Sequence, residues 1–140
     1  YTATSGNTLK MNGSSKTLTS ASQTLQNFEV SGGSISTVDA LDVNGTFAVS
    51  SGTFTQGANV NLNVAGNFTL SSGITFTKAS GTGILTLDGD LTFTDSTSPK
   101  QDLGNVYIGA SPDTTHLASD FSGDVIMNIR TANPDGFHPD

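Results

Sequence analysis

The chain has 140 residues, carries a net charge of −7 and contains no cysteine, and only 12% of its residues are charged. Its five Lys and Arg residues are too few to neutralise a nucleic-acid backbone or to dock on anionic lipid, and the lack of Cys excludes disulfides and thiolate metal sites. Apolar residues make up 34%, against roughly 45–50% in ordinary globular domains, so we expect one domain with a thin core.

Repetition along the chain is the main structural signal. After "LKMNGSSKTLT" from Leu9 and "LQNFEVSGG" from Leu25, one phrase recurs as "LDVNGTFAVSSGTF" from Leu41, "LNVAGNFTLSSGITF" from Leu62 and "LTLDGDLTF" from Leu85. Apolar and polar residues alternate in each phrase, which is the pattern of short half-buried strands. Aligning the phrases on their glycines predicts these inward core residues: Leu41, Val43, Phe47, Val49, Phe54, Leu62, Val64, Phe68, Leu70, Phe76, Leu85, Leu87, Leu91 and Phe93.

Glycines mark the corners between the predicted strands. Gly45, Gly66 and Gly89 form the first corner, and Asn-Gly or Asp-Gly pairs adopt positive φ at low cost. A second corner follows at Gly52 and Gly73, before a third short strand. Units that cannot bury an apolar face alone must stack. The sequence therefore predicts an all-β parallel β-helix (β-solenoid), with about three short strands per coil of 19–23 residues and roughly six coils.

A longer offset overlies this repeat. "LQNFEVSGG" from Leu25 resembles "LGNVYIGAS" from Leu103, at 103 − 25 = 78 residues, and Leu9 matches Leu85 at 85 − 9 = 76. We therefore predict a solenoid domain over residues 1–130 with a super-repeat of about 78 residues. Residues 131–140, "TANPDGFHPD", contain two prolines and a turn, and we interpret them as a non-repetitive tail or linker.

Two surface motifs have both an ordinary and a functional interpretation. Asn12, Asn44 and Asn67 lie in N-glycosylation sequons, although turn chemistry already explains Asn followed by Gly at the first two. Thr pairs at 17/19, 53/55, 75/77 and 92/94 would form an ice-binding file on a regular solenoid. Thr92 lies only three residues after its corner glycine, so its pair belongs to a different strand, and ordinary outward Thr is the favoured interpretation.

The acids and histidines have no recognised metal-ligand spacing. The loops "DSTSPKQD" and "SPDTTHLASD" could each wrap a weak calcium ion, but solvated loop acids are the favoured interpretation. The residues concerned are Asp95, Asp102, Asp113, Asp120, Asp135, Asp140, His116 and His138. Basic residues are scattered and no acids converge on one of them, so we predict no catalytic site, no metal and no cofactor.

The repeated units, together with "TLQNFEVSGGSI", resemble repeats of very large predicted surface proteins of uncultivated bacteria and, more distantly, autotransporter passenger domains and filamentous-haemagglutinin-type adhesins. The resemblance covers residues 7–127, and it implies an extracellular, cell-surface location and a stalk, adhesin or filament role.

The leading functional hypothesis is a structural module that stacks end to end with itself or with adjacent repeats, because neither end shows a capping helix or a charged end coil. The alternative is a glycan-binding adhesin module in which Tyr1, Tyr107 and Phe137 are the aromatic residues outside the predicted core. No run of about 18 apolar residues occurs, so membrane insertion is not predicted.

Overall fold

A computed structural model describes residues 4–109 and, as backbone only, 115–117 and 126–129. This part of the chain contains parallel β-strands and no helix, coiled as a β-solenoid of about five turns. The strands are β1 (Thr8–Met11), β2 (Lys16–Leu18), β3 (Thr24–Leu25), β4 (Asn27–Thr37), β5 (Leu41–Val43), β6 (Phe47–Thr55), β7 (Leu62–Val64), β8 (Phe68–Leu70), β9 (Thr75–Thr77), β10 (Ile84–Leu87), β11 (Leu91–Asp95), β12 (Asn105–Ile108), β13 (Thr115–Leu117) and β14 (Ile126–Ile129). The all-β, parallel β-helix prediction is confirmed.

The strands form three faces that run along the solenoid axis. Face 1 contains β1, the first parts of β4 and β6, then β8, β11 and β13. Face 2 contains β2, the last parts of β4 and β6, and β9. Face 3 contains β3, β5, β7, β10, β12 and β14. Because β4 and β6 continue around the corner between faces 1 and 2, those two faces form one sheet.

The core is a set of side-chain files that run parallel to the axis. The fourteen inward residues predicted from the repeat are all buried, at 4% exposure or less. The other buried apolar side chains are Leu25, Phe28, Val30, Ile35, Val60, Ile74, Leu103 and Val106. Alternation alone places these side chains inside, since successive residues on a strand point to opposite sides of the sheet.

A file of aromatic rings fills face 1. Phe28, Phe47, Phe68 and Phe93 follow one another in register on successive strands. Their neighbouring ring centroids are 5.6, 4.9 and 5.5 Å apart, and the last two pairs are stacked, with interplanar angles of 9° and 17°. These distances are close to the spacing of about 4.8 Å between paired strands, so each ring packs on the ring of the next coil.

The first-corner glycines are needed for a different reason from the one expected. Gly45, Gly66 and Gly89 do not have positive φ, whereas the second-corner glycines Gly52 and Gly73 do, at 87° and 76°. A Cβ on Gly66 would lie 2.5 Å from the carbonyl carbon and oxygen of the neighbouring corner glycine. Glycine is thus required at the first corner because the backbones of adjacent coils touch there.

The fifth coil departs from the predicted alignment by two residues. The repeat equates Leu91 with Phe68, but the structure pairs Phe93 with Phe68 and Leu91 with Thr115. The reason is a longer corner, because residues 88–92 separate Leu87 from Phe93 where only 65–67 separate the equivalent residues one coil earlier.

Coil length therefore increases along the chain. The coil from Phe28 to Phe47 has 47 − 28 = 19 residues, and the coil from Phe68 to Phe93 has 93 − 68 = 25. The latter exceeds the predicted range. Longer coils explain why the structure has about five turns where the sequence predicts roughly six.

The 78-residue offset does not match equivalent positions in the coils. Leu9 lies on β1 of face 1, whereas its predicted counterpart Leu85 lies on β10 of face 3. Phe28 and Val106, which the same offset relates, also lie on different faces. Faces 1 and 3 share the alternating apolar pattern, so sequence matches arise between them. The predicted tail at 131–140 lies outside the described residues.

Candidate functional site

The outer surface of face 2 carries a two-dimensional array of hydroxyl groups. Thr53 and Thr55 are in register with Thr75 and Thr77 of the next coil, and with Ser34 and Ser36 of the preceding one. Thr17 extends the second file by one more coil. All seven side chains are exposed or half-exposed, and within the described residues none of them forms a side-chain hydrogen bond to another protein group.

The sequence located only part of this array. The Thr pairs at 53/55 and 75/77 do lie side by side, and Thr92, on β11, belongs to face 1 as its short distance from the corner glycine predicted. Ser34 and Ser36 were missed because they are not threonines. The signal for them is the match between "SIS" and the two "TFT" stretches, each centred on a buried residue, Ile35, Phe54 or Phe76.

Face 2 ends where a loop at 96–104 takes the place of the next strand. The Gln101 side-chain oxygen accepts a hydrogen bond from the Phe76 backbone N–H at 2.8 Å, a bond that a following strand would otherwise accept. Lys78, just after β9, forms an ion pair with Asp102 of the loop. The loop therefore satisfies part of the exposed edge of β9.

The two loop acids in the described region, Asp95 and Asp102, bond to the chain's own donors. Asp95 is 2% exposed because the register shift places it in the aliphatic file of Leu70. Its carboxylate accepts hydrogen bonds from the Thr97 backbone N–H and hydroxyl at 2.8 and 2.6 Å, and from the Gln101 N–H at 2.9 Å. These contacts organise the loop. No group of three or more potential metal-ligating side chains occurs among the described residues.

The three sequon asparagines are all on the surface. Asn12, Asn44 and Asn67 are exposed. The Asn67 side-chain oxygen accepts a hydrogen bond from the Thr92 backbone N–H of the next coil at 2.9 Å. Asn67 thus has a structural role between coils, which a glycan on its amide would perturb.

Two carboxylates hold neighbouring coils together through hydrogen bonds. Glu29 accepts a hydrogen bond from the Ser50 hydroxyl at 2.6 Å and pairs with Lys10 at 3.1 Å, and these contacts hold the pKa of Glu29 below its usual 4.5. Asp39 accepts hydrogen bonds from the backbone N–H of Ser20 and from that of the following residue, both at 2.8 Å. These bonds, the one from Ser20 above all, lower the pKa of Asp39 from its usual 3.8.

The remaining candidates give no defined site in the described part of the chain. Tyr107 is half-buried on β12, in register with Thr86 and Asn128, and it interacts with neighbouring groups. His116 is described only as backbone in β13. The other aromatic, acidic and histidine candidates lie outside the described residues: Tyr1, Asp113, Asp120, Asp135, Phe137, His138 and Asp140.

Within residues 4–109, 115–117 and 126–129, no surface pocket is present, and no helix has the length and apolar character needed to cross a bilayer. The features that stand out in the described part are therefore the three faces, the corner asparagines and the loop that ends face 2. Comparison with protein-family models, with curated proteins and with solved structures finds no match to this chain.

Proposed function

We propose that the protein is an extracellular structural module whose coils stack end to end in a surface stalk or filament. The observation that carries the proposal is the direction of its interactions. The backbone ladders, the ring file of Phe28 to Phe93 and the side-chain bonds of Glu29, Asp39 and Asn67 all join one coil to the next along a single axis. Interactions repeated along one axis make a stiff rod.

The strand edges support continuation of this rod. β1 is the outermost strand of its sheet among the described residues. Asn27, which is in register with Thr8, donates its N–H to Asn7 of the first coil. Because N–H directions alternate along a strand, the Thr8 N–H points to the open edge, where a strand of another copy can accept it.

An extracellular location is supported by composition. The chain has no Cys and only 12% charged residues, with Ser, Thr, Asn and Gly supplying most of its polar surface. A stacked solenoid does not need disulfides to stabilise it, since the neighbouring coil supplies the core contacts.

The test is electron microscopy and sedimentation of the chain and of the Thr8→Pro variant, with Thr8→Ala as the matched control. We expect the wild type and Thr8→Ala to form filaments with an axial repeat of about 4.8 Å. Proline removes the edge N–H without removing a ladder bond inside the coil, so Thr8→Pro filaments should be short or absent while circular dichroism stays unchanged. A wild type that remains a monomer at high concentration, without filaments, would contradict the proposal.

A further inference from the structure

We propose that face 2 binds ice through its two files of hydroxyl side chains. The residues that form the array on three successive coils are Ser34, Ser36, Thr53, Thr55, Thr75 and Thr77. This activity is independent of filament formation, because one copy of the chain carries the whole array.

The spacing of the array is set by the backbone. Neighbouring parallel strands lie about 4.8 Å apart, and residues i and i+2 on one strand lie about 6.6 Å apart. Oxygen atoms in the prism plane of hexagonal ice repeat at comparable intervals in two perpendicular directions. The hydroxyl groups of face 2 therefore lie near lattice positions in both directions at once.

The array is held rigid from inside. Ile35, Phe54 and Phe76 lie between the paired hydroxyl residues of their strands, and they are 0%, 0% and 4% exposed. Phe54 and Phe76 are in contact, with centroids 5.5 Å apart. A surface that is already ordered binds a crystalline lattice without losing further conformational entropy.

Face 2 differs from the other two faces in its chemistry. The outward file of face 1 contains the charged residues Lys10 and Glu29, and that of face 3 contains Asp42 and Tyr107. The strand positions of face 2 on coils two to four carry no charge. Charged groups hold water in shells that do not fit the ice lattice, whereas Thr offers a hydroxyl to a lattice position and a methyl group to the gap beside it.

The outward positions of face 2 contain no aromatic side chain among the described strands, so they offer no platform for stacking a sugar ring. The observations thus favour ordered water over a glycan as the occupant. Binding of face 2 to a glycan, with no effect on ice, would overturn the proposal.

The experiment measures inhibition of ice recrystallisation, together with the fraction of fluorescently labelled protein taken up by a slowly growing ice crystal. The test variant is Thr55→Lys, because Thr55 lies at the centre of the array between Ser36 and Thr77. The matched control is Asn63→Lys, which adds the same charge at an exposed outward position of face 3. Circular dichroism and sedimentation establish that both variants keep the fold and the same oligomeric size.

We expect the wild type and Asn63→Lys to be active and Thr55→Lys to lose activity by about tenfold or more, as for a charge introduced into the centre of an interface. A second variant, Ser36→Thr, completes the central row of threonines and should increase activity. An inactive wild type, or equal activity of the two lysine variants, would overturn the proposal.

Discussion

Truncation of Phe68 to alanine should be among the most destabilising single changes in this protein. The ring is 0% exposed, and its centroid lies 4.9 Å from Phe47, 5.5 Å from Phe93 and 6.0 Å from Phe76. A buried Phe→Ala change costs about 3–5 kcal/mol through lost burial and the cavity left behind. Each aromatic pair adds about 0.5–1.5 kcal/mol beyond burial, so three pairs place Phe68→Ala near the upper end of that range.

The Phe68→Leu variant separates the two contributions. Leucine keeps most of the buried volume and loses the three ring pairs, so we expect a cost of about 2 kcal/mol. Thr69→Ala, at the adjacent half-exposed outward position, is the matched control and should change stability by less than about 0.5 kcal/mol.

The measurement is urea unfolding followed by circular dichroism, together with thermal melting. For a chain of this length each kcal/mol lowers Tm by about 3–5 °C, so Phe68→Ala should melt about 12–25 °C below the wild type, and Phe68→Leu in between. A Phe68→Ala variant as stable as Thr69→Ala would refute the ring file as the centre of the core. Equal losses for the alanine and leucine variants would show that ring contacts, rather than volume, account for the whole cost.

Three further predictions follow from the corners, the carboxylates and the loop. Gly66→Ala should destabilise by about 3 kcal/mol because its Cβ meets the backbone of the next coil, whereas Gly73→Ala, which has open space and positive φ, should cost about 1–2 kcal/mol in urea unfolding. Asp39 has a lowered pKa in the fold, so its stabilising contribution is present above about pH 4 and lost as pH falls through the folded value; the Tm gap between wild type and Asp39→Asn should therefore close on acidification. Gln101→Ala should accelerate hydrogen exchange of the Phe76 amide selectively, and unchanged exchange would contradict the role of the loop at this strand edge.

The sequence by itself determined the class of fold and the inward side chains. Alternation with period two decides which side of a strand each residue faces, and the recurring phrases from Leu41 and Leu62 specify a stack of similar coils. Both signals are local, so they can be read without knowing which strands pair. All fourteen predicted core residues are buried for this reason.

The tertiary structure alone decided how one coil lies on the next. The pairing of Phe68 with Phe93 rather than with Leu91, and the burial of Asp95 that results, depend on how far a corner of variable length carries the chain before it rejoins the ladder. The same holds for the contact between corner glycines and for the alignment of "SIS" with "TFT" on face 2. These features arise from contacts about 19–25 residues apart, because coil-to-coil packing sets the register whereas local propensity sets only the strand.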